Sequence, residues 1–129
     1  MGNQGVVYLD THACVWLVDG DASWLSAAGK TVFDSHDTLI SPAVVLELQM
    51  LWEKKRIKWQ ASAVIEELTG HIGAEICRLA FSLIVEAATK EHWTRDPMDR
   101  LIVAHAKAND SPLITADAGI LKHYRKALC

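Results

Sequence analysis

Four short apolar runs, each followed by a stretch with helical periodicity, set the frame for this chain. Val6-Val7-Tyr8-Leu9 is the first: β-branched and apolar throughout, and stopped by Asp10. Thr38 to Ser41, Ala74 to Ala80 and Ser111 to Thr115 are the others, and Arg125 to Cys129 can add an edge strand. Strands that are apolar on both faces and separated by helices form a parallel sheet covered by helices on both sides. The expected helices are Thr11 to Val18, Trp24 to His36, Pro42 to about Lys55, Ser62 to Thr69, Ser82 to Glu91, Pro97 to about Ala108 and Asp117 to Tyr124. The expected fold is therefore three-layer α/β/α, with a central parallel sheet of four to five strands. No repeat, linker or low-complexity segment divides the chain, and 129 residues suit a single domain spanning 1–129.

An open parallel sheet binds ligands beyond the carboxyl ends of its strands. Asp10 follows the first strand directly, and Thr115-Ala116-Asp117 follows the fourth. The helix after the second strand carries Glu47 on one face with Val44, Leu48 and Leu51. A glutamate on a buried stripe is costly unless its charge is paired. The helix before the fourth strand opens Asp96-Pro97-Met98-Asp99, and Asp99 shares a face with Ile102, Val103 and Ala106. Four or five carboxylates thus converge on one end of the sheet.

Crowded carboxylates raise one another's pKa, and a hard divalent cation removes that penalty through oxygen ligands. Such a set favours Mg²⁺ or Mn²⁺ over zinc. The three cysteines, Cys14, Cys77 and Cys129, form no CxxC pair and read as free thiols, the first two in the core. Each acid also has an ordinary reading. Asp10, Asp96 and Asp117 can be helix caps, and Asp99 can complete a variant capping box with Asp96. Glu47 lies inside its helix and can only be paired.

A net charge of −3 gives no bulk attraction to nucleic acid, although a local basic rim is compatible with it. Lys54-Lys-Arg-Ile-Lys58 reads first as a solvated helix end and second as a phosphate rim. Arg95 and Arg100, beside the Asp96/Asp99 pair, are candidates for contact with nucleic-acid phosphate. His12 is weak evidence for a ligand or base, and His105 reads as a satisfied histidine at a helix edge. Trp16 is expected in the core. With no signal-peptide pattern and no membrane-length apolar run, a soluble cytoplasmic protein is expected.

The stretches YLDTHACVWLV from Tyr8, SPAVVLEL through Glu47, WTRDPMDRLIVAHA from Trp93 and LITADAGILKHY from Leu113 arrive in the order of a known family. In them the chain resembles the PIN-domain ribonucleases, in particular the VapC toxins of type II toxin–antitoxin systems. The resemblance implies that Asp10, Glu47, Asp99 and Asp117 are the metal-binding catalytic acids, with Asp96 a further acidic position. Thr115 would help hold the site, with Thr11 in support. It further implies Mg²⁺- or Mn²⁺-dependent hydrolysis of RNA by activated water, a cognate antitoxin and a homodimer.

Other readings remain. Aspartyl-phosphate phosphatases need a second acid two residues after the first, where this chain has His12. A receiver domain needs an Asp after the third strand, where this chain has Leu79-Ala80-Phe81-Ser82. A PIN nuclease of RNA processing, or a non-catalytic module whose acids are caps, would share the same fold.

Overall fold

The computed structural model describes residues 5–129. Five parallel strands form one sheet in the order β3-β2-β1-β4-β5. They are β1 (Val6–Leu9), β2 (Asp37–Ile40), β3 (Glu75–Ile76), β4 (Leu113–Ile114) and β5 (Ala127–Leu128). The helices are α1 (Thr11–Val18), α2 (Ala27–Ser35), α3 (Pro42–Glu53), α4 (Ala61–Ile72), α5 (Phe81–Ala88), α6 (Pro97–Ala108) and α7 (Ala118–His123). The expected three-layer α/β/α architecture is the one observed.

β1 is central because it is apolar on both faces: Val7, Tyr8 and Leu9 are fully buried. It pairs with β2 on one side (Val7 beside Thr38) and with β4 on the other (Leu9 beside Ile114). The chain builds outward from β1 through β2 to β3, then returns to the opposite flank for β4 and β5. That reversal leaves a crevice between the carboxyl ends of β1 and β4, where open sheets take ligands.

α1, α3 and α4 pack together, and α6 packs on α3 and α5. Five consecutive residues of α6, Ile102 to Ala106, are buried, as its almost wholly apolar composition requires. Among them His105 is in the core and not at a helix edge. Its Nδ1 lies 2.8 Å from Ser41 Oγ and 3.1 Å from the Leu101 carbonyl. Ser41 Oγ also accepts from the Ala43 N–H and so caps α3. One buried polar pair thus ties the start of α3 to the middle of α6, the two helices that carry Glu47 and Asp99.

Several elements are shorter than the sequence pattern indicates, β3, α2 and α5 among them. β3 is only Glu75–Ile76, because its partner β2 ends at Ile40 and the chain there turns into α3. α2 starts at Ala27, behind the Ser26 cap, because Trp24 is engaged upstream, its Nε1 donating to the Asp21 carbonyl at 2.8 Å. α5 ends at Ala88, and Glu91 turns inward to pair with Lys107 at 2.7 Å. Among the described residues, no helix is long and apolar enough to cross a membrane.

Candidate active site

Asp10 is the first residue past β1 and the N-cap of α1. It is 7% exposed, and both its carboxyl oxygens are held. Oδ1 accepts from the Thr11 N–H at 2.8 Å, and Oδ2 accepts from the Thr115 hydroxyl at 2.6 Å. Thr115, itself fully buried at the end of β4, accepts from the Asp117 N–H at 3.0 Å. One threonine therefore fixes the acid after β1 and the backbone of the acid after β4.

Thr11 has a matching role on the other flank. Its hydroxyl donates to Glu47 Oε1 across from α3. Glu47 is half-buried and makes no ion pair among the described residues, so the salt-bridge explanation for its position does not hold.

Asp96 and Asp117 are caps as well as members of the site. Asp96 Oδ1 accepts from the Met98 and Asp99 N–H groups at 2.8 and 3.2 Å, and Asp117 Oδ1 accepts from the Ile120 N–H at 2.9 Å. The reciprocal capping box does not form: the Asp96 N–H donates to Thr94 Oγ1. Asp99 is thereby left out of the cap, and α6 carries it into the crevice.

The outcome is a cleft of about 340 Å³ lined by Asp10, Glu47, Asp96, Asp99 and Asp117, with His12, Trp16 and Ala116. No lysine or arginine lines it. Arg95 and Arg100 are held outside, donating to the His92 carbonyl at 3.2 Å and the Thr94 carbonyl at 2.8 Å. Trp16 is half-buried on the cleft wall and not a core residue. Its ring lies 5.8 Å from that of His12 and 5.0 Å from that of Trp24. The sequence signal for it was the four-residue spacing from His12, which places both on one face of α1.

Burial pushes the carboxyls of Asp10 and Glu47 up, against the hydrogen bonds of the two threonines. Asp99 has no such donor. Burial first, then the charges of Asp96, Asp117, Asp10 and Glu47, push it up to about 7. His12 on the cleft wall favours the charged forms of Asp10 and Glu47, and among the described residues no lysine or arginine joins it there. The donors are all oxygen, the set a hard divalent ion takes.

Among the described residues, no three or more His, Cys, Asp or Glu side chains form a group arranged to hold a metal ion. The thiols lie elsewhere: Cys14 is buried, and Cys77 accepts from the Tyr8 hydroxyl at 3.1 Å.

A PIN domain model matches residues 7–126. No curated protein matches the chain. Solved structures that it resembles include a toxin–antitoxin complex from Klebsiella pneumoniae, at TM-score 0.65 and 16% identity, covering 95% of this chain and 96% of that one. VapBC2 from Rickettsia felis, bound to a DNA fragment from its promoter, is similar at TM-score 0.64 and 19% identity, with the same two coverages. At such identities the structural likeness speaks for the fold, while the family match spans nearly the whole sequence. With the acids gathered at the carboxyl ends of β1 and β4, the chain belongs to the PIN domain family.

Proposed function

We propose that this protein is a divalent-metal-dependent endoribonuclease, and the toxin of a toxin–antitoxin pair. The observation that carries the nuclease reading is Asp99: a half-buried carboxyl facing four other acids in a cleft that, among the described residues, no lysine or arginine lines. Helix capping alone accounts for Asp10, Asp96 and Asp117, but it leaves Asp99 and Glu47 with no reason to be there. The toxin reading draws on the two similar structures, both described as toxin–antitoxin assemblies.

Asp10, Asp99 and Asp117 would hold the ion directly or through water, with Glu47 and Asp96 orienting its hydration shell. Mg²⁺ or Mn²⁺ there would supply charge for the scissile phosphate and lower the pKa of an attacking water. The chain's own contribution is preorganisation. Thr115 and the Thr11 N–H fix Asp10 and favour its ionised form against burial, leaving spare lone pairs on both oxygens. Thr11 anchors Glu47 from the opposite wall, and the Ser41–His105 pair holds α3 against α6. Trp16 and His12 close one side of the cleft and limit the water that reaches it. A homodimer and a cytoplasmic setting belong to the same reading.

The test is incubation of purified protein with a total RNA pool, and with single-stranded DNA, in Mg²⁺, Mn²⁺ or EDTA. Discrete cuts in RNA that need the metal and vanish in a folded Asp10→Asn variant are expected. Equal cutting by the variant would refute the assignment. Growth arrest on expression, relieved by co-expression of a small protein encoded beside it, is the outcome expected of a toxin. An active nuclease that no such protein restrains would belong to RNA processing.

A further inference from the structure

A second cavity, of about 390 Å³, lies against the same α1 wall that bounds the acid cleft. His12 and Trp16 line both, and the second cavity sits between α1 and the segment that follows α3. Leu51 and Ile57 are part of its apolar lining, and Arg56 and Lys58 bring two exposed cations to it.

The local backbone explains this placement. α3 ends at Glu53, and Lys55 adopts a left-handed conformation with φ 61°. The turn is closed by the Arg56 N–H donating to the Leu51 carbonyl at 2.9 Å. Ile57 is folded inward to a half-buried position, which leaves Arg56 and Lys58 on either side of it facing solvent. Trp59 Nε1 reaches Asp19 at 3.3 Å and engages the one acid on this wall. Neither Arg56 nor Lys58 makes an ion pair among the described residues. They are also the only lysine or arginine lining either of the two cavities.

On the shared wall, Trp16 is backed by Trp24, whose indole is tethered to the Asp21 carbonyl. An aromatic surface of restricted motion, flanked by unpaired cations, is the combination that binds unpaired nucleotides: the ring takes a base and the cations take the phosphates. A solvated helix end would not need its cations to border an aromatic cavity that shares the His12–Trp16 wall with an acid cleft.

We propose that this second cavity is a nucleotide subsite for single-stranded RNA. A base next to the cleavage point lies against the His12–Trp16 wall, and its phosphates meet Arg56 and Lys58, so that the strand runs on into the acid cleft. The proposal rests on the ribonuclease reading, and it adds to that reading the side from which the strand enters and the side chains that take its base and phosphates. A base held in a duplex is stacked on its neighbours and has no face free for Trp16.

The test is binding of a fluorescein-labelled oligouridylate, followed by anisotropy in EDTA so that no strand is cut. Trp16→Ala should weaken binding about ten-fold, the loss of one base–aromatic stack, while Trp16→Phe keeps most of it. The exposed pair Arg56→Gln/Lys58→Gln should make the log–log salt slope shallower by about 1.4, the share of two phosphate contacts on a single strand. A merely structural role for these side chains would leave that slope unchanged. Unaltered affinity and slope in folded variants, beside undiminished metal-dependent cleavage, would overturn the subsite and leave the ribonuclease reading standing. Binding that depends on Trp16 and Arg56 in a protein that cuts no RNA would do the reverse. If the variants keep RNA affinity but lose a co-purified protein partner, the cavity belongs to that partner and the proposal fails.

Discussion

Replacing Asp99 by asparagine removes a carboxyl whose charge is opposed by burial and by four neighbouring acids. In the folded protein, burial and four neighbouring acids push it from 3.8 up to about 7. Between those values the folded state keeps a proton that the unfolded chain has released, so this group costs stability as pH rises through that window. Below it both states are protonated and the cost is absent. Above it the full cost applies, on the order of 2 kcal/mol once the shift is discounted for the solvent that reaches this half-buried group. About 1–1.5 kcal/mol of this develops between pH 5 and pH 8.

Asp99→Asn cannot ionise and is free of that slope. In EDTA, wild type should lose about 1–1.5 kcal/mol relative to the variant on going from pH 5 to pH 8, or roughly 5 °C in relative melting temperature. Any cost of seating the amide is independent of pH and cancels in the comparison. Thermal unfolding followed by circular dichroism at the two pH values is sufficient. Parallel pH dependence in the two proteins would show that Asp99 is solvated and free of its neighbours, and would remove the reason for placing a cation there.

Three further outcomes follow from named contacts. Thr115→Val deletes the hydroxyl that donates to Asp10 at 2.6 Å. Burial then acts less opposed, so the acidic limb of the cleavage–pH profile should move to higher pH, with a loss of about 1–3 kcal/mol in urea unfolding. Ser41→Ala removes the α3 cap and the partner of His105 together, and should cost about 1–3 kcal/mol by urea denaturation, with a smaller loss for Ser41→Thr. Gly29→Ala would bring a Cβ to 2.3 Å from the Cys129 carbonyl oxygen. The C-terminal segment beyond β5 must then shift, at about 1–3 kcal/mol, and an unchanged melting temperature would contradict that packing.

The sheet was legible in the sequence because apolar, β-branched runs such as Val6 to Leu9 leave few alternatives. The third strand was overestimated because alternation over Ala74 to Ala80 carries no information on where a partner strand stops, and β2 stops at Ile40. The helix starts at Ser41 and Asp96 were legible from a capping residue followed by proline. The gathering of the acids was legible from their places after the strands. What sequence reading posed as a choice, cap or ligand, is not a choice in the fold: Asp10, Asp96 and Asp117 each cap a helix and line the cleft. His105 was placed at a helix edge because its bond to Ser41 spans 64 residues, a distance local periodicity does not reach. Arg95 and Arg100 were grouped with the acids by sequence proximity, whereas loop carbonyls draw both away from the cleft.

The central claim, that these five carboxylates form a divalent-metal site, is tested most directly by calorimetric titration of Mn²⁺ into wild type, Asp10→Asn and Glu47→Gln near pH 7, in two buffers of different ionisation enthalpy. The account predicts saturable binding to wild type with a buffer-dependent heat, because the ion displaces the proton held by Asp99. It also predicts affinity at least ten-fold weaker in both folded variants. Absence of binding to wild type, or equal affinity in all three proteins, would contradict it.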